Sequence, residues 1–231
     1  MHIFQSVRVL FIVISLPLIL LANVSYASED TSAQIKAFNE LEIHADAIVN
    51  TLLAKDLQHS RQHYNQLLKQ IKKISALNST GPYHEQLSRQ LMMAYSWLRI
   101  INNEVTRKSW VEAAIGANQL RGMLIQASHY PTLIQRDLKW LDYLGKEIEL
   151  LSMEDPKSNA DLLMLRKATM ENTWHRVRKE LIKNFKNKPI VIQGDALIVG
   201  IDASNDIATT INKTNRWLIF IHGIDKKYNN H

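Results

Sequence analysis

The sequence predicts a mainly α protein: an antiparallel helical bundle of about six helices, arranged as three hairpins, with a short β-leaning C-terminal segment. Apolar residues recur every three or four positions from residue 31 to about residue 188, which is the spacing of helices that bury one face. Glycine and proline are scarce, with 7 and 5 in 231 residues, and this disfavours a turn-rich β sandwich. Polar turns near residues 54–56, 106–109 and 154–157 recur at intervals of roughly 50 residues, the rhythm of repeated hairpins.

Residues 1–27 have the layout of a secretory signal peptide. Arg8 precedes an apolar run over residues 9–22, and Ser25 and Ala27 stand at the −3 and −1 positions of a cut after Ala27. The apolar run is shorter than the about 20 residues that a membrane span needs, and no later stretch reaches that length. The alternative is a signal anchor that is not cleaved. In both cases the rest of the chain lies outside the cytoplasm, so the sequence predicts a periplasmic or secreted protein.

Four helices are predicted between residues 31 and 127, and they form two hairpins. The turns at 54–56 and 106–109 each connect the two helices of one hairpin. The sequence NSTGPY at residues 78–83 separates the hairpins, because adjacent glycine and proline break a helix. Short connections predict antiparallel neighbours. The apolar positions that define the four buried faces are Ile35, Phe38, Leu41, Ala45, Ile48 and Leu52; Leu57, Tyr64, Leu67, Ile71 and Ile74; Leu87, Leu91, Ala94, Leu98, Ile101 and Val105; and Trp110, Ala113, Ala117, Leu120, Leu124 and Ala127.

The third hairpin is predicted over residues 134–181. Residues 154–161 interrupt it, with Pro156 as a stop and Ser158 or Asn159 as the cap of the next helix. The three hairpins together predict a bundle domain over residues 28–187. The apolar positions of this hairpin are Ile134, Leu138, Leu141, Leu144, Ile148 and Leu151, followed by Leu163, Met170, Trp174, Val177 and Leu181.

Residues 188–231 change in character and are predicted to form an apolar tail that packs on the bundle. The stretches KPIVIQGDALIVGID and NRWLIFIHGID are rich in β-branched and aromatic residues, which favours short strands. Gly194 would then take the left-handed position of a hairpin turn. The competing interpretation is a helix over residues 196–212 with Asp195 as its cap.

The sequence lacks the residues of several kinds of chemistry. It contains no cysteine, which excludes disulfides, thiolate metal sites and a cysteine nucleophile. It also lacks the G-x-S-x-G, H-E-x-x-H, P-loop and dinucleotide-binding motifs. A dispersed Ser–His–Asp set stays open, because triads assemble in space. We therefore expect a protein that is not an enzyme and that holds no cofactor.

The segment HSRQH places His59 and His63 four residues apart, on one side of a predicted helix. These two histidines are the candidate metal ligands. The ordinary alternative is a pair of surface histidines, because a metal site needs three or four ligands. A haem or copper site would need inward-facing axial ligands, for which His84 and His129 at one bundle end are the candidates. His222, inside an apolar run, is expected to be buried and hydrogen-bonded.

The net charge is +6, and removal of Arg8 with the leader takes it to +5. Most basic residues are scattered, and clusters occur at 69–73, 176–188 and 225–230. The candidate interaction residues in the first two clusters are Lys72, Lys73, Arg176, Arg178 and Lys179.

A basic surface outside the cytoplasm favours an envelope protein or an anionic polymer or lipid surface as the partner, and not nucleic acid. The ordinary alternative is a solvated face. The predicted function is an exported, non-enzymatic helical-bundle interaction module of the cell envelope. The alternative is a periplasmic carrier or sensor that binds a metal or haem. The oligomeric state is left open.

Overall fold

A computed structural model describes residues 29–77, 84–128, 130–185, 188–204 and 206–229. The predicted signal peptide lies outside the described residues. The described chain forms eight α-helices and no strand, so the mainly α prediction is confirmed and the β-leaning C-terminal segment is wrong. The helices are α1 (Glu29–Leu53), α2 (Leu57–Leu77), α3 (His84–Thr106), α4 (Trp110–Ala127), α5 (Leu133–Glu154), α6 (Ala160–Phe185), α7 (Lys188–Asp202) and α8 (Ile207–Asn229).

Helices that follow one another in the chain run antiparallel. Between α1 and α2, His44 contacts His63, and Glu40 accepts a hydrogen bond from Gln70. Residue numbers therefore rise along α1 in the direction in which they fall along α2. The two turns that connect α1 to α2 and α3 to α4 have the same backbone hydrogen bonds. In each, a lysine takes a left-handed conformation, with φ of 56° at Lys55 and 61° at Lys108. The predicted turns at these places are therefore confirmed.

The eight helices pack as two rings of four. In the first ring α1 packs on α2 and α4, and α3 packs on α4 and, least extensively, on α2. In the second ring α5 packs on α6 and α8, and α7 completes the ring between them. The rings meet where α4 packs on α5. Each ring encloses its own apolar core, and Leu150 of α5 joins the first core while Ile125 of α4 joins the second.

The C-terminal residues form helices because their apolar side chains are buried at helical spacing. On α7 the buried residues are Val191, Gly194, Ile198 and Ile201, three or four positions apart. On α8, Trp217 packs edge-on against Trp174 of α6, with ring centroids 5.6 Å apart. Burial between neighbouring helices thus outweighs the strand propensity of β-branched and aromatic residues.

Gly194 is a packing residue and not a turn residue, so the predicted hairpin turn is wrong. It lies inside α7, as does Asp195, which therefore does not cap a helix. A Cβ at position 194 would stand 2.0 Å from Cζ2 of Trp174, whose side chain is fully buried. The missing side chain lets α7 approach α6 closely.

None of the described helices combines the length and the hydropathy that crossing a membrane requires.

We predict that Gly194→Ala lowers the free energy of unfolding by about 1–3 kcal/mol, because the added methyl group overlaps the Trp174 ring. Gly223→Ala is the matched control, since a Cβ there has no atom within 4 Å, and it should stabilise α8 by up to about 1 kcal/mol through helix propensity. Urea unfolding followed by circular dichroism measures both changes. Equal stabilisation by the two variants would contradict the close packing of α6 and α7.

Candidate functional site

An open groove of about 520 Å³ lies between α2 and α3 in the described part of the chain. We call it the α2–α3 groove; its lining residues are Ser75, Ser88, Leu91, Met92, Tyr95, Ser96 and Arg99. It opens because α2 and α3 make the least extensive contact of any neighbouring helices. Nearer the α1–α2 turn the two helices meet again, where the Tyr64 hydroxyl donates to the Leu98 carbonyl oxygen at 3.4 Å.

The α3 wall of the groove exposes large apolar side chains. Met92 is 69% exposed and Tyr95 38%, and the adjacent Met93 is 44% exposed. These residues are not needed to fill the core, since α3 buries Leu98 and Ile101 there. Single exposed apolar residues are common, whereas a cluster beside a groove is typical of a binding surface.

The α2 wall carries positive charge without compensation. Residues 57–77 contain no aspartate or glutamate, and every other described helix contains at least one. Lys72 and Lys73, two of the predicted interaction residues, are exposed and form no ion pair with the described residues. Lys72 lies three residues before Ser75 on α2, so the two residues share a helix face.

The other predicted interaction residues lie on α6, in the second ring. Arg176 binds Asp137 through two hydrogen bonds, Nε to Oδ2 at 2.8 Å and Nη2 to Oδ1 at 3.1 Å. Arg178 Nε lies 3.3 Å from Asp195 Oδ2. Lys179 is exposed. The structure therefore does not bring the five predicted residues together, and two of the three on α6 hold helices in place.

The two histidines of HSRQH have different partners. His59 Nδ1 lies 2.6 Å from Asp56 Oδ2, and the His59 backbone N–H donates to Asp56 Oδ1 at 3.1 Å, so Asp56 caps α2. These hydrogen bonds, the backbone one first, lower the pKa of Asp56. His63 Nδ1 lies 3.2 Å from Nδ1 of His44 on α1. Partial burial, then the neighbouring His63, lowers the pKa of His44.

No group of three or more His, Cys, Asp or Glu side chains in the described part of the chain is arranged to hold a metal ion. Of the candidate haem or copper ligands, His129 and the side chain of His84 lie outside the described residues.

A second polar cluster lies where the two rings meet, and sequence reasoning missed it. Arg121 of α4 is buried, and its guanidinium contacts three carboxylates: Glu42 Oε1 at 3.3 Å, Asp46 Oδ1 at 3.2 Å, and Asp142. His222 Nε2 of α8 lies 2.8 Å from the other oxygen of Asp142. The expectation that His222 is buried is wrong, since its side chain is 65% exposed.

The cluster spans a gap between backbones. No Cα atom of α1 lies within 8 Å of a Cα atom of α5 or α8 among the described residues. A cavity of about 150 Å³ occupies this gap, and Lys139 and Asp225, whose charged atoms are 3.0 Å apart, line it together with the cluster around Arg121. Charged side chains therefore connect α1 to the second ring. This arrangement serves packing between the rings.

The charges in the cluster shift one another's pKa values. Burial raises the pKa of Glu42 despite the nearby Arg121 guanidinium. Burial would also raise the pKa of Asp142, but Arg121 and His222 hold that pKa well below its usual range. The hydrogen bond to Asp142 raises the pKa of His222. The one sequence signal for this cluster is Arg121 itself, the only cationic residue of helix α4.

Neither a protein-family model, nor a curated protein, nor a solved structure matches this chain.

We predict that Arg121→Met lowers the free energy of unfolding by about 3–5 kcal/mol, because it removes the guanidinium that pairs with the buried Glu42 and Asp142 carboxylates. Arg107→Met is the control: Arg107 pairs with Glu104 at 3.1 Å with its side chain 70% exposed, and its loss should change stability by less than about 0.5 kcal/mol. Urea unfolding measures both variants. Similar midpoints for Arg121→Met and the unmodified chain would contradict the role assigned to Arg121.

We predict that His222 stabilises the fold at about pH 6 and that this contribution is lost by about pH 9. Its folded-state pKa is raised, so its contribution is fully present below its usual pKa and is lost as pH rises through the raised value. Because this side chain is mostly exposed, we expect its loss of charge to lower the melting temperature by only about 1–2 °C. His222→Gln should remove this part of the pH dependence.

The matched control is His175→Gln, because His175 is also exposed and lies 3.7 Å from a carboxylate, that of Glu171 on its own helix. Melting curves at both pH values measure the three proteins. The explanation fails if His222→Gln keeps the full pH dependence or if His175→Gln removes as much of it.

Proposed function

We propose that this chain is an exported, non-enzymatic interaction module of the cell envelope, and that it binds a protein partner at the α2–α3 groove. One observation carries the proposal: exposed Met92 and Tyr95 lie beside cations that have no counterion in the described chain. Apolar contact area and unpaired charge together are what protein interfaces use for affinity and for orientation. The leader-like residues 1–27 support the extracytoplasmic location.

The lining of the groove supports binding over catalysis. It offers serine and tyrosine hydroxyls, a thioether and the Arg99 guanidinium, and among its lining residues there is no carboxylate or imidazole to act as a general base. It also favours a protein over an anionic polymer or lipid surface. A polymer would need the charges alone, whereas Met92 and Tyr95 add an apolar surface that a folded partner covers.

Site-specific photo-crosslinking tests this proposal in the envelope of the producing cell. A benzophenone amino acid replaces Met92, and the matched control replaces Met164 of α6, since the two methionines are 69% and 68% exposed. We expect a discrete protein adduct from position 92 and none from position 164. Lys72→Glu and Lys73→Glu should suppress that adduct, because they reverse the charge of the α2 wall.

Adducts at both positions, or at neither, would contradict a protein-binding groove between α2 and α3. If position 92 gives no protein adduct while the chain co-sediments with an anionic envelope polymer, the proposed protein partner is wrong and a polymer takes its place.

A further inference from the structure

We infer that the segment of the partner that occupies the α2–α3 groove is an acidic amphipathic helix. This inference rests on the proposed function. Three features of the groove carry it: its length and helical walls, the spacing of its apolar contacts, and the sign of its charge.

The shape of the groove suits a helix. Its α3 wall runs from Ser88 to Arg99, which at the helical rise is about 17 Å, or three turns. Six of the seven lining residues belong to α3 and one, Ser75, belongs to α2; both helices hydrogen-bond their backbone groups internally, and the described chain has no strand with an open edge. An extended peptide would therefore find no backbone partners here, whereas a helix satisfies its own.

The α3 wall is one face of the helix, and two of its residues, Met92 and Tyr95, offer exposed apolar surface. Ser88, Met92, Tyr95 and Arg99 follow one another at steps of four, three and four, which is the period of one helix face. Methionine has a flexible and polarisable side chain, which adapts to the apolar stripe of another helix. The serines at 75, 88 and 96 are small and leave room for larger side chains from that stripe.

The charge around the groove selects an acidic helix. Arg99 lies in the groove and is exposed, and α2 carries four cations, Arg61, Lys69, Lys72 and Lys73, and no carboxylate. The nearest carboxylate of α3 at the Ser88 end, Glu85, is already paired with Arg89. The same charges disfavour a second copy of this chain as the occupant, because two basic α2 helices would face each other.

Fluorescence anisotropy tests the inference on the full chain with three labelled peptides. Each peptide has about 15 residues, a length at which an isolated helix is marginally stable. The first peptide is an amphipathic helix with glutamates flanking a leucine stripe. The second has the same composition in scrambled order, and the third carries lysines in place of the glutamates. We expect the first to bind and the other two to bind at least about tenfold more weakly.

Two pairs of matched variants locate the binding. Met92→Ser and Lys72→Glu should each weaken the first peptide about tenfold, whereas Met164→Ser and Lys179→Glu, at exposed positions of α6, should leave it unchanged. Raising the salt concentration should weaken binding further. Circular dichroism confirms that each variant retains its helices.

Equal binding of the ordered and scrambled acidic peptides would overturn the inference, since charge alone would then suffice. Stronger binding of the basic peptide, or equal effects of the α3 and α6 methionine variants, would also overturn it. The two proposals fail separately. If position 92 still forms its crosslink in the envelope while the acidic helix does not bind, the groove binds a partner of another shape, and only the helix inference is wrong.

Discussion

The arrangement of the second ring depends on pairing the carboxylates that α5 buries. Asp137, Asp142 and Glu147 are each at most 4% exposed, and an isolated buried carboxylate is too costly to leave unpaired. Each meets an arginine from a neighbouring helix: Arg176 and Arg166 come from α6, and Arg121 comes from α4. Apolar contacts alone would tolerate sliding along the helix axes. We expect the three ion pairs to favour one register of α5 against α6 and α4.

The same constraint determines which face of the protein is available to a partner. Because α4 packs on α5 and α1 faces α5 and α8 across the cluster around Arg121, the sides of these helices toward the second ring are covered. The helices α2 and α3 stand on the opposite side of the first ring, where no other helix of the described chain packs on them beyond α1 and α4. The α2–α3 groove therefore lies away from the contact between the rings, and binding there need not disturb it.

The proposed binding surface and the core use different faces of the same helix. On α3, Leu98 and Ile101 are 2% exposed and pack in the first core, whereas Met92 and Tyr95 contribute little to it. Substitutions at the exposed positions should therefore change recognition without unfolding the protein. This separation allows matched surface variants to report on binding alone.

The sequence by itself determined the helices from α1 to α6, the turns at 54–56, 106–109 and 154–157, and the cations Lys72 and Lys73, because three-to-four spacing and turn chemistry are local properties; the predicted break at 78–83 lies outside the described residues. Only the tertiary structure decided that the C-terminal residues are helical, because the burial of Val191 and Trp217 depends on how α7 packs on α6 and α8 and how α8 packs on α5. It also decided that His63 meets His44 and not a metal ligand set, and that Arg121 lies among carboxylates. Spacing along one helix shows which residues share a face, and only the packing of helices shows what that face meets.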